Sequence, residues 1–251
     1  AGPPAGGPRL RFAGVGVHPA QLPYPGHLGL ADVGDFAIAL GDLAGSLSLI
    51  EEQASRHAHL VAIGGDHSIT LGLLRALARS GGPLGLVHFD AHVDTWPDSF
   101  GQSLGHGSVL YRAIVEGLVD PRRMIQIGIR SPVERAVFDW TRAQGVRIVS
   151  AEEVHESGPQ VIADQVRDSL GSAPAYLSFD IDAIDPSQAP GTGTPEVGGL
   201  LTWQVMAILK RLGGIDFRGM DLVEVAPAYD LAEITALAGA TVIWQYLCLQ
   251  P

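Results

Sequence analysis

Residues 84–94 read LGLVHFDAHVD, an apolar run that ends in Asp90, His92 and Asp94 at alternate positions. A nearly continuous apolar run of this length is typical of a strand buried on both faces, as in a parallel sheet. The alternation that follows places the three ionisable side chains on the same side of an extended segment. The stretch therefore predicts a buried strand with a polar site at its carboxyl end.

The same pattern recurs along the chain. Five further apolar runs are predicted as strands: LVAIGG (60–65), MIQIGI (124–129), VRIVS (146–150), AYLSFDID (175–182) and FRGMDLVEV (217–225). Stretches with helical spacing lie between them and after them, at 69–80, 107–118, 133–144, 159–170, 202–212 and 231–249. Alternation of strands and helices predicts an α/β fold with a parallel sheet that helices cover on both faces.

Composition and length favour one large domain. The 251 residues are 46% hydrophobic, which is typical of a globular protein with a sizeable core. An irregular Gly/Pro-rich segment is predicted over 1–34, and one domain over 35–251. Cys248 is the only cysteine, which excludes an internal disulfide and a cysteine-based metal site.

The net charge and the hydropathy pattern exclude two classes of partner. The formal net charge is −11, whereas nucleic-acid binding requires a basic face. No apolar run reaches the roughly 18 residues of a membrane span, and no basic-then-apolar leader opens the chain. We therefore expect a cytoplasmic protein that binds neither a membrane nor nucleic acid.

Six ionisable residues follow the predicted strands, where active sites of parallel sheets lie. They are His67, Asp90, His92, Asp94, Asp180 and Asp182. Four carboxylates that converge on one cavity repel each other and tend to become protonated. A pair of divalent cations removes this repulsion. Oxygen-rich ligands with some imidazole favour Mn²⁺ or Mg²⁺, and they leave Zn²⁺, Fe²⁺ and Ni²⁺ open.

Other polar residues have simpler structural interpretations. Asp66 is predicted to cap the helix that begins near Ser68, and Asp185 to support a loop. His88 lies inside a predicted strand, so we expect it to pack in the core. The remaining histidines are expected at the surface: His18, His27, His57, His59 and His155.

Four motifs resemble the signatures of the ureohydrolase family, which includes arginases and agmatinases. They are GGDHS (64–68), DAHVD (90–94), SFDIDAIDPSQAPGTGTPEVGGL (178–200) and EVAPAYD (224–230). The resemblance covers roughly 33–250, and the stretches 105–131 and 224–240 are most similar to the agmatinase branch. It implies a three-layer α/β/α domain around a mostly parallel sheet of about eight strands, and a homo-oligomer, commonly a trimer or hexamer.

The N-terminal part of the resemblance is weaker. Family members usually begin with a strand and a loop rich in Gly, Arg and Pro, whereas residues 4–14 match that loop only loosely. We therefore expect a shortened or trimmed N-terminal segment.

The resemblance also implies two Mn²⁺ ions per chain. Carried over by motif position, one metal site consists of His67, Asp90, Asp94 and Asp180. The second site consists of His92, Asp90, Asp180 and Asp182. Asp90 and Asp180 are then the carboxylates that bridge the two ions.

Members of this family hydrolyse a guanidinium or similar carbon–nitrogen bond, commonly with release of urea. By motif position, Asp94 resembles the residue that holds the proton of the activated water. His106 resembles the family's proton shuttle, and Glu224 the acid that pairs with the guanidinium. Thr194 is predicted, with His106 and Glu224, to contact the substrate.

The agmatinase-like features predict a small cationic guanidino substrate, agmatine, which water would convert to putrescine and urea. A guanidino-acid hydrolase (guanidinobutyrase-like) or an arginase is the alternative within the same chemistry. A non-catalytic family member that binds a guanidino ligand is the alternative from another class. A phosphoesterase is disfavoured, because the sequence places no basic cluster near the predicted site.

Overall fold

The computed structural model describes residues 25–251, so most of the predicted segment 1–34 lies outside the described residues. Six strands form one sheet: β1 (Leu60–Ile63), β2 (Leu84–Phe89), β3 (Val119–Ile129), β4 (Arg147–Ser150), β5 (Ala175–Asp180) and β6 (Phe217–Val223). Their order is β1-β6-β5-β2-β3-β4, and every neighbouring pair is parallel. All six predicted strands are confirmed.

Helices cover both faces of this sheet. They are α1 (Leu43–Ala54), α2 (Ile69–Gly81), α3 (Val109–Val115), α4 (Arg135–Ala143), α5 (Ala151–Leu170), α6 (Thr202–Leu209) and α7 (Ile234–Leu247). Among residues 25–251, no helix is both long enough and apolar enough to cross a membrane.

Helix α1 is the one helix among these that the sequence analysis did not predict. Its apolar residues nevertheless have helical spacing: Leu43, Leu47, Ile50 and Ala54. The Asp42 carboxylate caps the helix by accepting the Gly45 amide.

Strand β2 shows how the sheet separates two hydrophobic cores. Leu84 and Leu86 pack in the core beneath α1, α2 and α3, whereas Val87 and Phe89 pack in the core beneath α5, α6 and α7. This alternation follows from the two-residue period of a strand. The predicted three-layer α/β/α architecture is confirmed, with six strands in the described residues rather than about eight.

The strand order places a switch point between β2 and β5. The chain continues from β2 to β3 and β4 on one side, whereas β5 and β6 lie on the other side. Connections that leave neighbouring strands in opposite directions open a crevice at their carboxyl ends, where ligands bind in such sheets. The residues that follow β2 and β5 therefore line this crevice.

Gly128 lies at a bulge near the end of β3. The pairing of β3 with β4 shifts register between Ile127 and Ile129, and Gly128 has φ +103°. A Cβ atom there would lie 2.9 Å from the Asp90 carbonyl oxygen. Beyond the bulge, the Arg130 amide donates to the Ala91 carbonyl at 2.9 Å. The bulge thus lets the end of β3 hold the segment that follows β2.

We expect Gly128→Ala to lower the free energy of unfolding by about 2–5 kcal/mol, because backbone strain adds to a steric clash. Gly117→Ala is the matched control, since Gly117 has φ +70° and an added Cβ there would meet no atom within 4 Å. It should cost only the strain, about 1–2 kcal/mol. Urea denaturation measures both values, and equal losses would contradict the role of the close approach to Asp90.

Candidate metal centre

The predicted ligands lie at one edge of the sheet. Asp90 directly follows β2, and Asp180 ends β5. His67 lies in the loop between β1 and α2, and Asp182 lies in the short 3₁₀ turn after β5. The carboxyl ends of parallel strands meet at the same edge, so these side chains converge in the crevice at the switch point.

The first cluster surrounds the Nδ1 atom of His67. This nitrogen lies 3.0 Å from Asp94 Oδ2, 3.3 Å from Asp180 Oδ2 and 3.4 Å from Asp90 Oδ2. All four side chains are buried. The four residues predicted for one metal site are therefore together, with one imidazole nitrogen facing three carboxylate oxygens.

The second cluster surrounds the Nδ1 atom of His92. It lies 3.1 Å from Asp182 Oδ2 and 3.3 Å from Asp90 Oδ1. Asp90 thus presents one oxygen to each cluster, as a bridging carboxylate would. Asp180 contacts His67 and accepts the Asp182 amide on Oδ1 at 2.9 Å, and its role as a second bridge stays a prediction.

The buried carboxylates of the two clusters require positive charge close to them. Burial, followed by the charges of Asp182 and Asp90, raises the pKa of the Asp180 carboxyl well above its usual range. Burial opposes protonation of His67, yet the three carboxylates that surround its ring raise its pKa well above the usual value. The carboxylates thus either take up protons or draw a cation between them.

Unpartnered atoms indicate a cation. His67 Nδ1 and Asp90 Oδ2 are buried, and neither has a hydrogen-bond partner among the described residues. Buried polar atoms are seldom left unpaired, and those that are call for a specific explanation. Nitrogen and oxygen atoms that face each other at about 3 Å fit two divalent cations of the kind that imidazole and carboxylate ligands bind.

Two of the residues predicted to act in catalysis have strained backbones. Asp94 has φ +50° and Glu224 has φ +64°, a region that few non-glycine residues adopt and in which active-site residues are over-represented. The Asp94 carbonyl accepts the Leu110 amide at 3.0 Å at the start of α3. Glu224 Oε1 accepts the His67 amide at 2.7 Å. These bonds hold both residues in their strained conformations.

A cavity of about 450 Å³ opens beside the two clusters. Its lining consists of His92, Asp94, Trp96, Asp98, Ser99, Phe100, His106, Gly107, Ser131, Pro132, Glu134, Asp180, Thr194 and Glu224. All predicted catalytic and substrate-binding residues are in this set. The lining contains five carboxylates and, among the described residues, no lysine or arginine.

Three contacts shape this cavity. His106 lies on the short 3₁₀ helix that precedes α3. The Thr194 hydroxyl donates to Asp182 Oδ2 at 3.2 Å, so the residue predicted to contact substrate also contacts a predicted ligand. Trp96 Nε1 donates to Glu134 Oε2 at 2.6 Å and holds this exposed carboxylate in place at the cavity wall.

Behind the candidate ligands lies a row of buried polar side chains that the sequence prediction missed. It consists of Asp221 on β6, Ser178 on β5, His88 on β2 and Gln126 on β3, which are register partners on neighbouring strands. All four side chains are fully buried. The signal in the sequence was the two-residue spacing of His88 from Asp90 and of Ser178 from Asp180, which places each pair on one face of its strand.

The core-packing interpretation of His88 needs a correction. The side chain is fully buried, as predicted, but its Nε2 atom lies 2.8 Å from Asp90 Oδ2. The two atoms are too poorly aligned to form a hydrogen bond. On the other side of the ring, Gln126 Nε2 lies 3.1 Å from His88 Nδ1 and also donates to the Val93 carbonyl at 2.7 Å. His88 therefore connects the polar row to the shared carboxylate.

Arg130 is a second residue that sequence reasoning missed. Its guanidinium donates to the carbonyl oxygens of Gly128, Asp182, Ala183 and Glu196. Burial lowers its pKa. Arg130 is absent from the cavity lining, and its contacts instead tie the turn that carries Asp182 to the loop around Glu196.

The loop-supporting role predicted for Asp185 is confirmed, because its carboxylate accepts the amides of Ser187, Gly198 and Gly199. The capping role predicted for Asp66 is not confirmed. Asp66 Oδ1 accepts the Ser68 amide at 2.8 Å just before α2, whereas the N-cap residue of α2 is Ser68, which makes no side-chain cap hydrogen bond.

The histidines expected at the surface lie there within the described part of the chain. His27, His59 and His155 are exposed, and His57 is half-buried. His18 lies outside the described residues.

Comparison with known proteins identifies the family. A family model described as the arginase family matches residues 2–248. The guanidinobutyrase of Pseudomonas aeruginosa is 43% identical over 98% of this chain and 80% of its own length. The agmatinase of Chromobacterium violaceum is 46% identical over 76% of this chain, which spans only 58% of that relative. A crystal structure of a hypothetical agmatinase from Burkholderia thailandensis superposes with a TM-score of 0.84 and 42% identity, over 92% of this chain and 73% of that one. The chain therefore belongs to the arginase family of hydrolases.

Proposed function

We propose that the chain hydrolyses a guanidino compound at a dinuclear metal centre, and that the ions are Mn²⁺. The proposed ligands are His67, Asp90, His92, Asp94, Asp180 and Asp182. The observation that carries this proposal is the position of Asp90, whose two oxygens face two imidazole nitrogens in two separate clusters. Family membership supports a dinuclear site, and the mixed oxygen and imidazole ligands are compatible with Mn²⁺.

The reaction requires an activated water, because a guanidinium carbon is delocalised and is a poor electrophile. When bound, the two cations would supply this activation by making water acidic at neutral pH. We assign the released proton to Asp94, whose carboxylate belongs to the first cluster and also lines the cavity. His106 lines the same cavity, and a positioned imidazole is the commonest side chain to pass a proton to a leaving amine.

Glu224 and Thr194 are proposed to bind the substrate. Glu224 lines the cavity while its Oε1 accepts the His67 amide. A carboxylate fixed in this way can accept charge-assisted hydrogen bonds from the guanidinium N–H groups. Thr194 lies where its hydroxyl contacts Asp182 and faces the same cavity.

The charge of the cavity favours agmatine among the guanidino compounds. Asp98 and Glu134 are exposed lining residues, and the formal net charge of the chain is −11. The distal ammonium of agmatine would be attracted to these carboxylates, whereas the carboxylate of a guanidino acid would be repelled. The proposed products are putrescine and urea.

A guanidino acid is the second candidate substrate. Its support is the relative described as a guanidinobutyrase, which matches 98% of this chain. The hydroxyl of Ser99 lines the cavity and could donate to a distal carboxylate. The complete set of site residues disfavours a non-catalytic role. Three expectations stay predictions: assembly into a trimer or hexamer, a cytoplasmic location and the domain bounds 35–251.

Asp90→Ala should lose both metal ions, because it removes the carboxylate that the two clusters share. Asp98→Ala is the matched control, since Asp98 lines the cavity outside both clusters. After dialysis against Mn²⁺, elemental analysis should find two ions per chain in the wild type and the control and fewer than one in Asp90→Ala. Two ions retained in Asp180→Ala would contradict the second bridging assignment.

His106→Ala should keep both metal ions but reduce kcat by about 10²- to 10⁴-fold, the usual contribution of a positioned acid or base. Gln102→Ala, an exposed side chain of the same loop, serves as the control and should leave kcat unchanged. Urea release and metal content are measured together, and an unchanged kcat in His106→Ala would remove this residue from the mechanism.

The wild-type protein loaded with Mn²⁺ should release urea faster from agmatine than from 4-guanidinobutyrate, 3-guanidinopropionate or arginine. Glu134→Gln and Asp98→Asn should each lower the ratio of kcat/KM for agmatine over guanidinobutyrate by up to about fivefold, because an exposed ion pair contributes about 0.2–1 kcal/mol. A wild-type preference for guanidinobutyrate would establish the second candidate, and no urea from any substrate would contradict the proposed function.

A further inference from the structure

Asp221 is a fully buried carboxylate behind the metal centre, and three hydroxyl groups bond to it. Its Oδ2 atom accepts from Thr70 Oγ1 at 2.7 Å and from Tyr176 OH at 2.9 Å. Its Oδ1 atom accepts from Ser178 Oγ at 2.7 Å. An ionised carboxylate can only accept hydrogen bonds, so each hydroxyl directs its proton towards Asp221.

The direction of the Ser178 hydroxyl decides where His67 carries its proton. A serine hydroxyl has one proton, and here Asp221 takes it. Ser178 Oγ also lies 2.9 Å from His67 Nε2, and towards that atom it offers only a lone pair. His67 must therefore carry a proton on Nε2. In the neutral ring the lone pair is then on Nδ1, the atom that faces Asp90, Asp94 and Asp180.

We propose that Asp221 and Ser178 are positioning residues that lock His67 in its Nε2–H tautomer and thereby make Nδ1 a cation ligand. The inference rests on the proposed metal centre and extends it to residues that touch neither metal nor substrate. A histidine ligand commonly donates its other ring N–H to an outer partner, which fixes its tautomer and orientation. Here that partner is the Ser178 hydroxyl, and the buried Asp221 carboxylate fixes the direction in which this hydroxyl donates its proton.

The surrounding contacts leave His67 and Ser178 little freedom. If the Ser178 hydroxyl turned to donate to His67, Asp221 Oδ1 would lose its hydrogen bond in a fully buried position, which is unfavourable. The His67 ring also packs against the His88 ring, with centroids 5.2 Å apart. The backbone amide of His67 is fixed by Glu224 Oε1. The same carboxylate that is proposed to bind substrate thus helps to hold this ligand.

The tautomer of His67 determines what its Nδ1 atom can bind. With its proton fixed on Nε2, His67 presents to three carboxylate oxygens, at 3.0–3.4 Å, an Nδ1 atom that needs either a second proton or a cation. A cation there makes four attractive contacts, one with the nitrogen and three with the oxygens. Fixing the lone pair on Nδ1 should therefore increase the affinity for a cation on the His67 side, and it should leave the His92 side largely unaffected.

The test compares Ser178→Ala with Tyr176→Phe in the full chain. Both variants remove one hydroxyl that donates to Asp221, but only Ser178 also contacts His67. Binding of Mn²⁺ is measured by equilibrium dialysis, with thermal unfolding as a check that each variant folds. Ser178→Ala should bind one of the two ions about 10- to 100-fold more weakly, the usual effect of losing an outer-shell partner. Tyr176→Phe should bind both ions within about twofold of the wild type, because it leaves that partner in place.

Several outcomes would overturn the proposal. Wild-type affinity for both ions in Ser178→Ala would remove Ser178 from the metal site, and equal losses in the two variants would assign the effect to core packing. A wild-type chain that binds no Mn²⁺ would overturn both the proposed metal centre and the proposed positioning of His67 by Ser178 and Asp221. Two bound ions in the wild type with no effect of Ser178→Ala would overturn the positioning of His67 alone.

A second measurement needs no variant. In wild-type protein that is labelled with ¹⁵N-histidine and loaded with diamagnetic Zn²⁺, the nitrogen resonances of His67 distinguish its tautomers. The proposal requires a protonated Nε2 and an unprotonated Nδ1. The opposite arrangement would contradict it whether or not Ser178→Ala folds.

Discussion

The mutual repulsion of buried carboxylates is the constraint on which the rest of this structure depends. Asp90, Asp94, Asp180 and Asp182 are nearly inaccessible to water, and their charges raise the pKa values of Asp180 and Asp182 in addition to the effect of burial. Such a set is stable only with positive charge among its members. Imidazole rings alone supply too little, whereas two divalent cations would neutralise the four acids and leave each ring nitrogen as a ligand.

The fold brings these acids together at one edge of the sheet, from strands that are distant in sequence. The switch point between β2 and β5 places Asp90 beside Asp180. The Gly128 bulge then lets the end of β3 bind the Ala91 carbonyl, and Arg130 ties down the turn of Asp182. The strained backbones of Asp94 and Glu224 lie at the same site, where hydrogen bonds to His67 and Leu110 hold the two side chains beside the cavity.

Much of the fold and of the site could be predicted from sequence, since both depend on local pattern. Continuous apolar runs predicted the strands, and acids at the ends of those runs predicted the candidate ligands. The spacing of His88 and Ser178 from Asp90 and Asp180 indicates only that each pair shares a face of its strand. The contacts of these residues with Asp221 and Gln126 arise from register between strands, which a linear pattern does not encode. Arg130 was missed for a similar reason, since its carbonyl partners come from three separate segments. Helix α1 could have been recognised from its spacing and from the Asp42 cap.

Two cations that share Asp90 would be located by anomalous diffraction from crystals of the wild-type protein grown with Mn²⁺. Two peaks per chain are expected, both in contact with the Asp90 carboxylate, one next to His67 Nδ1 and the other next to His92 Nδ1. A single peak, or two peaks of which only one contacts Asp90, would contradict the sharing of Asp90.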